Sequence, residues 1–339
     1  MKSKVYAVIL AGGKGTRLWP LSKKGRSKSF VEIASRRPMI VDTVERLKGL
    51  IEKKDVLFVI DKGQEKNLKS ILKWVKNKNV VLEPFGRSTA SAVGLAAISV
   101  DPESILVVLP TDASIDKPGL FRKTIRNGVE FIKKNKGAMV CFGVKTKDPS
   151  VSYGYIKTGR RIGGPIFTID RFIEKPGSKK AKKLIEEGDC FWNAGIFIFR
   201  AADILDAMRK HAKGLYAELE RIRENKKDIK KAYSRMRDIS IDCQIMEKTR
   251  NLYCVLVDFG WHDLGNWLNL EGYFEKDRGH NISYGDVRIR HSHNISVYNF
   301  EKGTIGVVGA RDIVVAHTDS GILICDKKQV EKVKELGVI

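Results

Sequence analysis

Cysteine is scarce: five residues in 339, odd in number and scattered, with no C-x-x-C pair. That excludes a disulfide scaffold and a cysteine-based zinc framework, and a reducing cytoplasm is the expected home. Long apolar runs are missing too. No stretch approaches the roughly 20 apolar residues that cross a bilayer. Met1 to Lys4 leads straight into a strand-like run, so neither a membrane span nor a secretory leader is read. Acidic residues are the minority, 40 Asp and Glu against 63 Lys and Arg, for a formal charge of +23. Such a balance attracts polyanions. Yet the lysines fall in short clusters (Lys53-Lys54, Lys133-Lys134, Lys179-Lys180, Lys182-Lys183, Lys226-Lys227, Lys230-Lys231) without interleaved aromatics. A solvated basic surface is therefore expected, not a nucleic-acid platform. No Ser-His-Asp or Cys-His constellation stands out, and nothing points to a covalent nucleophile.

What is present is a 42% apolar chain of a length that suits one large α/β domain with a small addition. Apolar runs at 5–10, 56–60, 80–82, 105–109 and 138–144 alternate with helical patterns near 39–50, 64–75, 89–99 and 121–133. That alternation predicts a Rossmann-like, mixed, mainly parallel sheet with helices on both faces. Pro38 suits a first helical position, and Ser88 suits the cap of the Ala-rich helix after it. Further strands are expected near 168–174, 195–199 and 253–258, and a long basic helical region over 202–232. Ligands of such sheets sit beyond the carboxyl ends of the strands; Gly12, Glu83, Asp112, Glu174 and Asp263 each follow an apolar run. After Gly279 the pattern changes to apolar i, i+2 pairs at Val287/Ile289, Ile295/Val297, Ile305/Val307, Ile313/Val315 and Ile322/Ile324, every 8 to 10 residues. This spacing predicts short stacked strands, either β-helix rungs or an antiparallel meander, followed by an amphipathic helix at 329–336. The expected division is a catalytic domain over 1–279 and a C-terminal domain over 280–339.

The segment Leu10-Ala11-Gly12-Gly13-Lys14-Gly15-Thr16-Arg17-Leu18-Trp19-Pro20-Leu21-Ser22 directly follows the first apolar run. A strand feeding a glycine-dense turn lets backbone N–H groups converge on an anion with no Cβ in the way. Arg17 and Lys28 can add full positive charges to the same phosphates. A P-loop needs Ser or Thr after its Lys, whereas Lys14 precedes Gly15. The dinucleotide fingerprint needs a third Gly or Ala, whereas Leu18 stands there. A different nucleotide chemistry is indicated.

Five further blocks follow in order: Glu83-Pro84-Phe85-Gly86-Arg87-Ser88-Thr89-Ala90, Leu109-Pro110-Thr111-Asp112, Phe172-Ile173-Glu174-Lys175-Pro176, Trp192-Asn193-Ala194-Gly195, and Gly260-Trp261-His262-Asp263-Leu264-Gly265-Asn266-Trp267. With the glycine loop and Lys28 they resemble the sugar-1-phosphate nucleotidyltransferases. The Leu-Trp-Pro-Leu-Ser continuation resembles the mannose-1-phosphate guanylyltransferase branch, and the likeness runs from about Val5 to Asp326. It implies transfer of GMP from GTP to α-D-mannose 1-phosphate, giving GDP-mannose and pyrophosphate. It also implies a small left-handed β-helix in the tail. The long bifunctional members add an isomerase domain; this chain is expected to lack one, and to lack mannose-6-phosphate isomerase activity.

The task such a reaction sets is to bring two anions together in line, and the attacking phosphate oxygen is already ionised. By resemblance Arg17, Lys28, Lys175, Asp112 and Asp263 are catalytic. Leu10, Ala11, Gly12, Gly13, Gly15, Thr16, Arg17 and Lys28 hold the nucleotide, together with Glu83, Gly86, Ser88, Thr89 and Asp112. Gly154, Glu174, Lys175 and Asn193 hold the sugar phosphate. Asp112 and Asp263 suit Mg2+, which takes a few protein oxygens and shares its other positions with phosphate and water; the competing reading is that each caps a turn. Glu174 would accept from sugar hydroxyls and Lys175 would neutralise the phosphate. Glu83 could pair with the N1–H and N2–H2 donors of guanine. The chain departs from the family at Ser27-Lys28-Ser29, where Pro-Lys-Gln is usual, and at Ser88 and Ser91, which replace Asn and Pro. Tyr153 and Tyr155 have a plain packing alternative. His291 and His293 form an i, i+2 pair read as structural, and His262 as shaping its loop. Part of the tail's apolar surface is expected to dock on the catalytic domain and part to serve a homodimer. No nucleic-acid or membrane partner is expected.

Overall fold

A computed structural model describes residues 3–13, 15–23, 25–33, 35 and 37–336. Lys14 of the glycine loop and the end of the 280–339 stretch lie outside the described residues. The fold gathers into two units. The first comprises Met1–Gly12, Thr43–Thr111 and Ile115–Trp261; the second comprises Gly13–Asp42, Asp112–Ser114 and His262–Ile339. Residues 13–42, 112–114 and 262–279 cluster with the stretch after 279.

In the first unit the Val- and Ile-rich runs become β1 (Val5–Leu10), β2 (Val56–Asp61), β3 (Val80–Glu83) and β4 (Ile105–Pro110), as β-branched residues favour extended backbone. The helices between them are α1 (Met39–Glu45), α2 (Glu65–Ile71) and α3 (Thr89–Ala97). After the short β5 (Ala113–Ile115) come α4 (Pro118–Lys134), β6 (Met139–Lys145), β7 (Tyr155–Gly163), β8 (Ile166–Ile173), α5 (Ser178–Glu186) and β9 (Cys190–Arg200). α6 (Ala201–His211), α7 (Lys213–Glu224), α8 (Ile229–Arg235), α9 (Ile241–Gln244), β10 (Leu252–Val257) and β11 (Trp261–Asp263) follow. One nine-stranded sheet has the order β3-β2-β1-β4-β9-β6-β10-β8-β7. Its first half is parallel, β1 pairing with β2 and β4, and β2 with β3. β9 then runs antiparallel to both β4 and β6, so the sheet is mixed. Val8, Leu57, Val59, Leu106 and Val108 share one core cluster with α3. The alternate residues Ala7, Ile9, Phe58 and Val107 are equally buried outside it, so helices cover both faces.

Three local expectations shift. The basic region over 202–232 is three helices: Ala212 leaves helical geometry at φ −140°, and Asn225 turns back to accept from the amide of Lys227 at 3.1 Å. Pro38 lies one residue before α1, its carbonyl accepting from Val41 at 2.8 Å. Ser88 takes the N-cap of α3 with extended backbone, yet its side chain makes no capping bond among the described residues.

In the second unit the i, i+2 pairs build β12 (Ile282–Tyr284), β13 (Val287–Arg290), β14 (Ser296–Asn299), β15 (Ile305–Val308), β16 (Ile313–Thr318) and β17 (Gly321–Asp326). β12, β14 and β16 stack in parallel, and β13 pairs in parallel with β15. Successive turns of chain therefore return in the same direction, as in a β-helix; a meander would alternate. Only the last strand, β17, reverses onto β16. Ile295, Val297 and Val315 fill the interior with Val287, Ile289, Ile305 and Val307 around them. The terminal helix is a 3-10 helix, Lys327–Leu336, burying Val330 and Val333 at the three-residue spacing that stacks on one face of such a helix. Leu18, Leu21, Val31 and Met39 join Leu264, Trp267, Tyr298, Val314 and Leu323 in a second core. There the indole N–H of Trp267 donates to the carbonyl of Trp19 at 3.0 Å. Among the described residues no helix is long and apolar enough to cross a membrane.

Candidate functional site

The second unit collects the charged residues of the glycine loop and of the two Asp blocks. Gly15 stands at φ +72°, and a Cβ there would run into Cβ of Lys28. Glycine is required on both counts. The loop then closes in a 3-10 turn, Thr16–Leu18, while Ser22 Oγ donates to the carbonyl of Gly15 at 2.5 Å. Lys28 opens its own 3-10 turn without the usual Pro and Gln, and its Nζ lies 2.5 Å from Oδ2 of Asp112. The main-chain oxygen of Asp112 accepts from the amide of Leu264 at 2.7 Å, which draws the Asp263 block alongside. Asn269 donates to Oδ2 of Asp263. The Asp263 carboxyl is pushed up to about 6, first by burial and then by the negative charge of Asp112, against the pull of Lys28, Asn269 and Arg17. Two hard oxygen ligands that repel each other in a partly desolvated place fit a divalent cation. Arg17 is held elsewhere: its Nε is 2.9 Å from Oε2 of Glu331, whose Oε1 accepts from Asn266 at 2.9 Å.

The first unit holds the other residues. Leu10 ends β1, and Ala11 donates its amide to Val59 at 2.9 Å. A Cβ on Gly12 would stand 2.7 Å from Oε2 of Glu83, and one on Gly86 3.9 Å from the carbonyl of Gly12. Glu83 is only 2% exposed, and the Tyr233 hydroxyl donates to its Oε1 at 3.3 Å. Burial, aided by the charge of Asp61, pushes its carboxyl up to about 7 against the bonds from Tyr233 and the Arg87 amide. Glu83 thus lies buried against Gly12 of the loop. Thr89, opening α3, accepts at Oγ1 from the amide of Ile241 at 2.9 Å.

Around Gly154 the residues expected to hold the sugar phosphate converge. A Cβ there would lie 2.5 Å from Oε2 of Glu174 and 3.4 Å from Cβ of Asn193, so a side chain at 154 would push the Glu174 carboxylate aside. The amide of Asn193 donates to the carbonyl of Gly154 at 2.8 Å. Lys175 Nζ lies 2.7 Å from Oε1 of Glu174, and Lys175 sits at φ +42°, a left-handed conformation that a non-glycine residue adopts at a cost. Tyr153 packs against Trp192 and Trp261 at 4.8 and 5.4 Å between ring centroids, and Tyr155 is fully buried. Sequence reasoning passed over Tyr233, Asp242 and Glu247. They lie in no recognised block, and nothing in the local sequence from 233 to 247 marks them out. His293 and His280 make a ring contact at 5.6 Å, and the ring of His262 meets Tyr273. Among the described residues no three or more of His, Cys, Asp and Glu are grouped to hold a metal.

Comparison with known proteins gives the family. The nucleotidyl transferase family model matches residues 6–278, and that of the MannoseP isomerase/GMP-like beta-helix domain matches residues 290–337. The chain belongs to the nucleotidyl transferase family. Its place there is with the mannose-1-phosphate guanylyltransferases. That of Salmonella muenchen is 33% identical over 349 residues, 98% of this chain and 73% of its own length. The alginate biosynthesis protein AlgA of Pseudomonas putida is 33% identical over 345 residues, 97% of this chain and 70% of its own. A solved structure from Thermus thermophilus, described as a mannose-1-phosphate geranyltransferase, superposes with a TM-score of 0.89 at 31% identity over 98% of both chains.

Proposed function

We propose that the protein transfers GMP from GTP to α-D-mannose 1-phosphate, forming GDP-mannose and releasing pyrophosphate. The observation that carries this reading is the grouping of Asp112, Asp263 and Lys28, two carboxylates and an ammonium beside a glycine-rich turn. Mg2+ bound by Asp112 and Asp263 would draw negative charge from the reacting phosphates. The chain's own residues do the positioning. Backbone amides of Gly13, Gly15 and Thr16 face the triphosphate in this reading, and Lys28 and Arg17 add positive charge. Lys175 neutralises the sugar phosphate, while Glu174, Asn193 and the Gly154 backbone hold the sugar. One oxygen of that phosphate attacks the α-phosphorus, and the bond to the pyrophosphate oxygen breaks. The nucleophile is already ionised, so no side chain need remove a proton. Base selection falls to main-chain groups of Leu10 to Gly12 and to the block from Glu83 to Thr89, which contains Gly86 and Ser88. We place the functional division at 279/280 and the reaction in the cytoplasm. We assign a homodimer, supported by the exposed apolar side chains of Val308, Ile322 and Ile324.

Pyrophosphate release, measured with Mg2+ across four nucleoside triphosphates and several sugar 1-phosphates, tests the reading. GTP with mannose 1-phosphate should give the highest kcat/KM. Equal kcat/KM for GTP and ATP would sink the base assignment, and a preference for glucose 1-phosphate would sink the sugar.

A further inference from the structure

Residues 233–247 have no role in the proposed reaction, yet they touch both the nucleotide-side and the sugar-side residues of their unit. The hydroxyl of Tyr233 donates to Glu83, and its carbonyl accepts from Arg87 Nε, each at 3.3 Å. The amide of Ile241 donates to Thr89 Oγ1 at 2.9 Å. Asp242 Oδ1 accepts from Nδ2 of Asn193 at 2.8 Å, and Glu247 Oε1 accepts from the amide of Glu174 at 2.7 Å. Local sequence arranges this. Ser240 caps α9, its Oγ accepting from the amide of Cys243 at 3.3 Å, and Ile241 is buried at 1% exposure. The next residue, Asp242, is thereby turned to β9.

We propose that Asp242 is the positioning residue of the sugar-phosphate half: it fixes the Asn193 amide in one orientation while Glu247 fixes the backbone of Glu174. An Asn side chain has two orientations of nearly equal shape. Here Nδ2 is committed to Asp242, and Oδ1 accepts from the amide of Gly195 at 3.1 Å. With both ends engaged, the side chain beside Gly154 is set before a sugar arrives, which lowers the ordering needed on binding. The groups that face Asp242 are Glu174 and Lys175 after β8, Asn193 on β9 and Cys141 on β6. Burial, and after it the charge of Glu174, pushes the Asp242 carboxyl up to about 7, against the pull of Lys175 and Asn193. Its charge therefore changes near neutrality, and its hold on Asn193 changes with it.

The inference rests on the proposed transferase reading, and the test separates the two. α-D-Mannose 1-phosphate and α-D-glucose 1-phosphate are titrated calorimetrically into the full-length native protein, Asp242→Ala and Asp242→Asn. Both KM values are measured alongside from pyrophosphate release. Asp242→Ala should weaken sugar-phosphate binding and raise its KM about tenfold, as for one lost bond to a charged group, with the KM for GTP little changed. Asp242→Asn keeps an oxygen for Asn193 and should recover most of the loss. It should also flatten the change in sugar-phosphate KM that the native protein shows between pH 6 and 8. An Asp242→Ala protein with unchanged sugar-phosphate binding, or with both KM values raised alike, overturns the inference while native turnover upholds the transferase. If Asp242→Ala does not fold, a pH profile of Asp242→Asn matching the native one overturns it equally. A native protein that takes only glucose 1-phosphate refutes the mannose reading, and the glucose titration then judges Asp242. Binding of neither sugar overturns both.

Discussion

Glu83 joins an acidic side chain to nearly complete burial. With 2% exposure and one hydroxyl partner at 3.3 Å, its carboxyl is raised from 4.5 to about 7. In that window the folded chain holds a proton that the unfolded chain has released. Stability is therefore full below pH 4.5 and falls as pH rises through about 7. At about 1.4 kcal/mol per pH unit, the ionisable group costs roughly 3 kcal/mol above the window. Glu83→Gln keeps the shape and removes the titration. Its melting temperature relative to the native protein should rise from pH 5 to pH 8. A constant difference across that range would place the proton uptake elsewhere. Legibility at this scale divides by distance in sequence. Lys28, Asp112 and Asp263 sit in or beside recognisable blocks, and their meeting could be anticipated. Tyr233 meets Glu83 across 150 positions, and Asp242 meets Asn193 across 49. Neither lies in a local pattern, so only the folded chain reveals them.

Elements whose residues agree with their surroundings were readable. The runs at 5–10 and 105–109 coincide with β1 and β4 because a buried parallel strand is apolar throughout. The break after α6 was not, since Ala212 favours helix and yields here to the packing of α6 on α7. Strand direction in the tail was open as well, because i, i+2 spacing is the same for parallel and antiparallel neighbours. The terminal 3-10 helix has a consequence at this scale. Glu331 on it holds Arg17, and the two side chains are 51% and 43% exposed. In the proposed reading Glu331 competes with the GTP phosphates for Arg17. Exposed ion pairs contribute about 0–1 kcal/mol, so Glu331→Gln should lower the KM for GTP by roughly two- to fivefold with kcat nearly unchanged. The gain should shrink at high salt, where the pair is already screened. Saturation curves at low and high ionic strength decide the point; an unaltered KM at low salt would mean that Glu331 does not compete with GTP.

For the whole molecule, the family match at 6–278 covers every residue assigned to chemistry, which suggests that the tail could be removed. The second core argues otherwise. Leu18, Leu21, Val31, Ile33 and Met39 are buried together with Ile282, Tyr298, Val314, Leu323, Val330 and Val333. Trp267, fully buried, packs against Tyr298 with the rings tilted by 34° and 5.2 Å between centroids. Cutting after Gly279 strips the apolar partners from the segment that carries Gly15, Arg17 and Lys28. Each fully buried apolar side chain contributes about 1.5–3 kcal/mol. The summed loss, on the order of 10 kcal/mol, rivals the typical stability of a domain, about 5–15 kcal/mol. The truncated chain should melt far below the full-length protein or aggregate. GTP binding should fail with it, because the loop and Lys28 no longer have a core to hold them. Calorimetric melting and GTP titration of both lengths test this directly. A 1–279 chain that keeps the native melting temperature and binds GTP would show that residues 13–42 hold their shape without the β-helix, and that the shared core is dispensable.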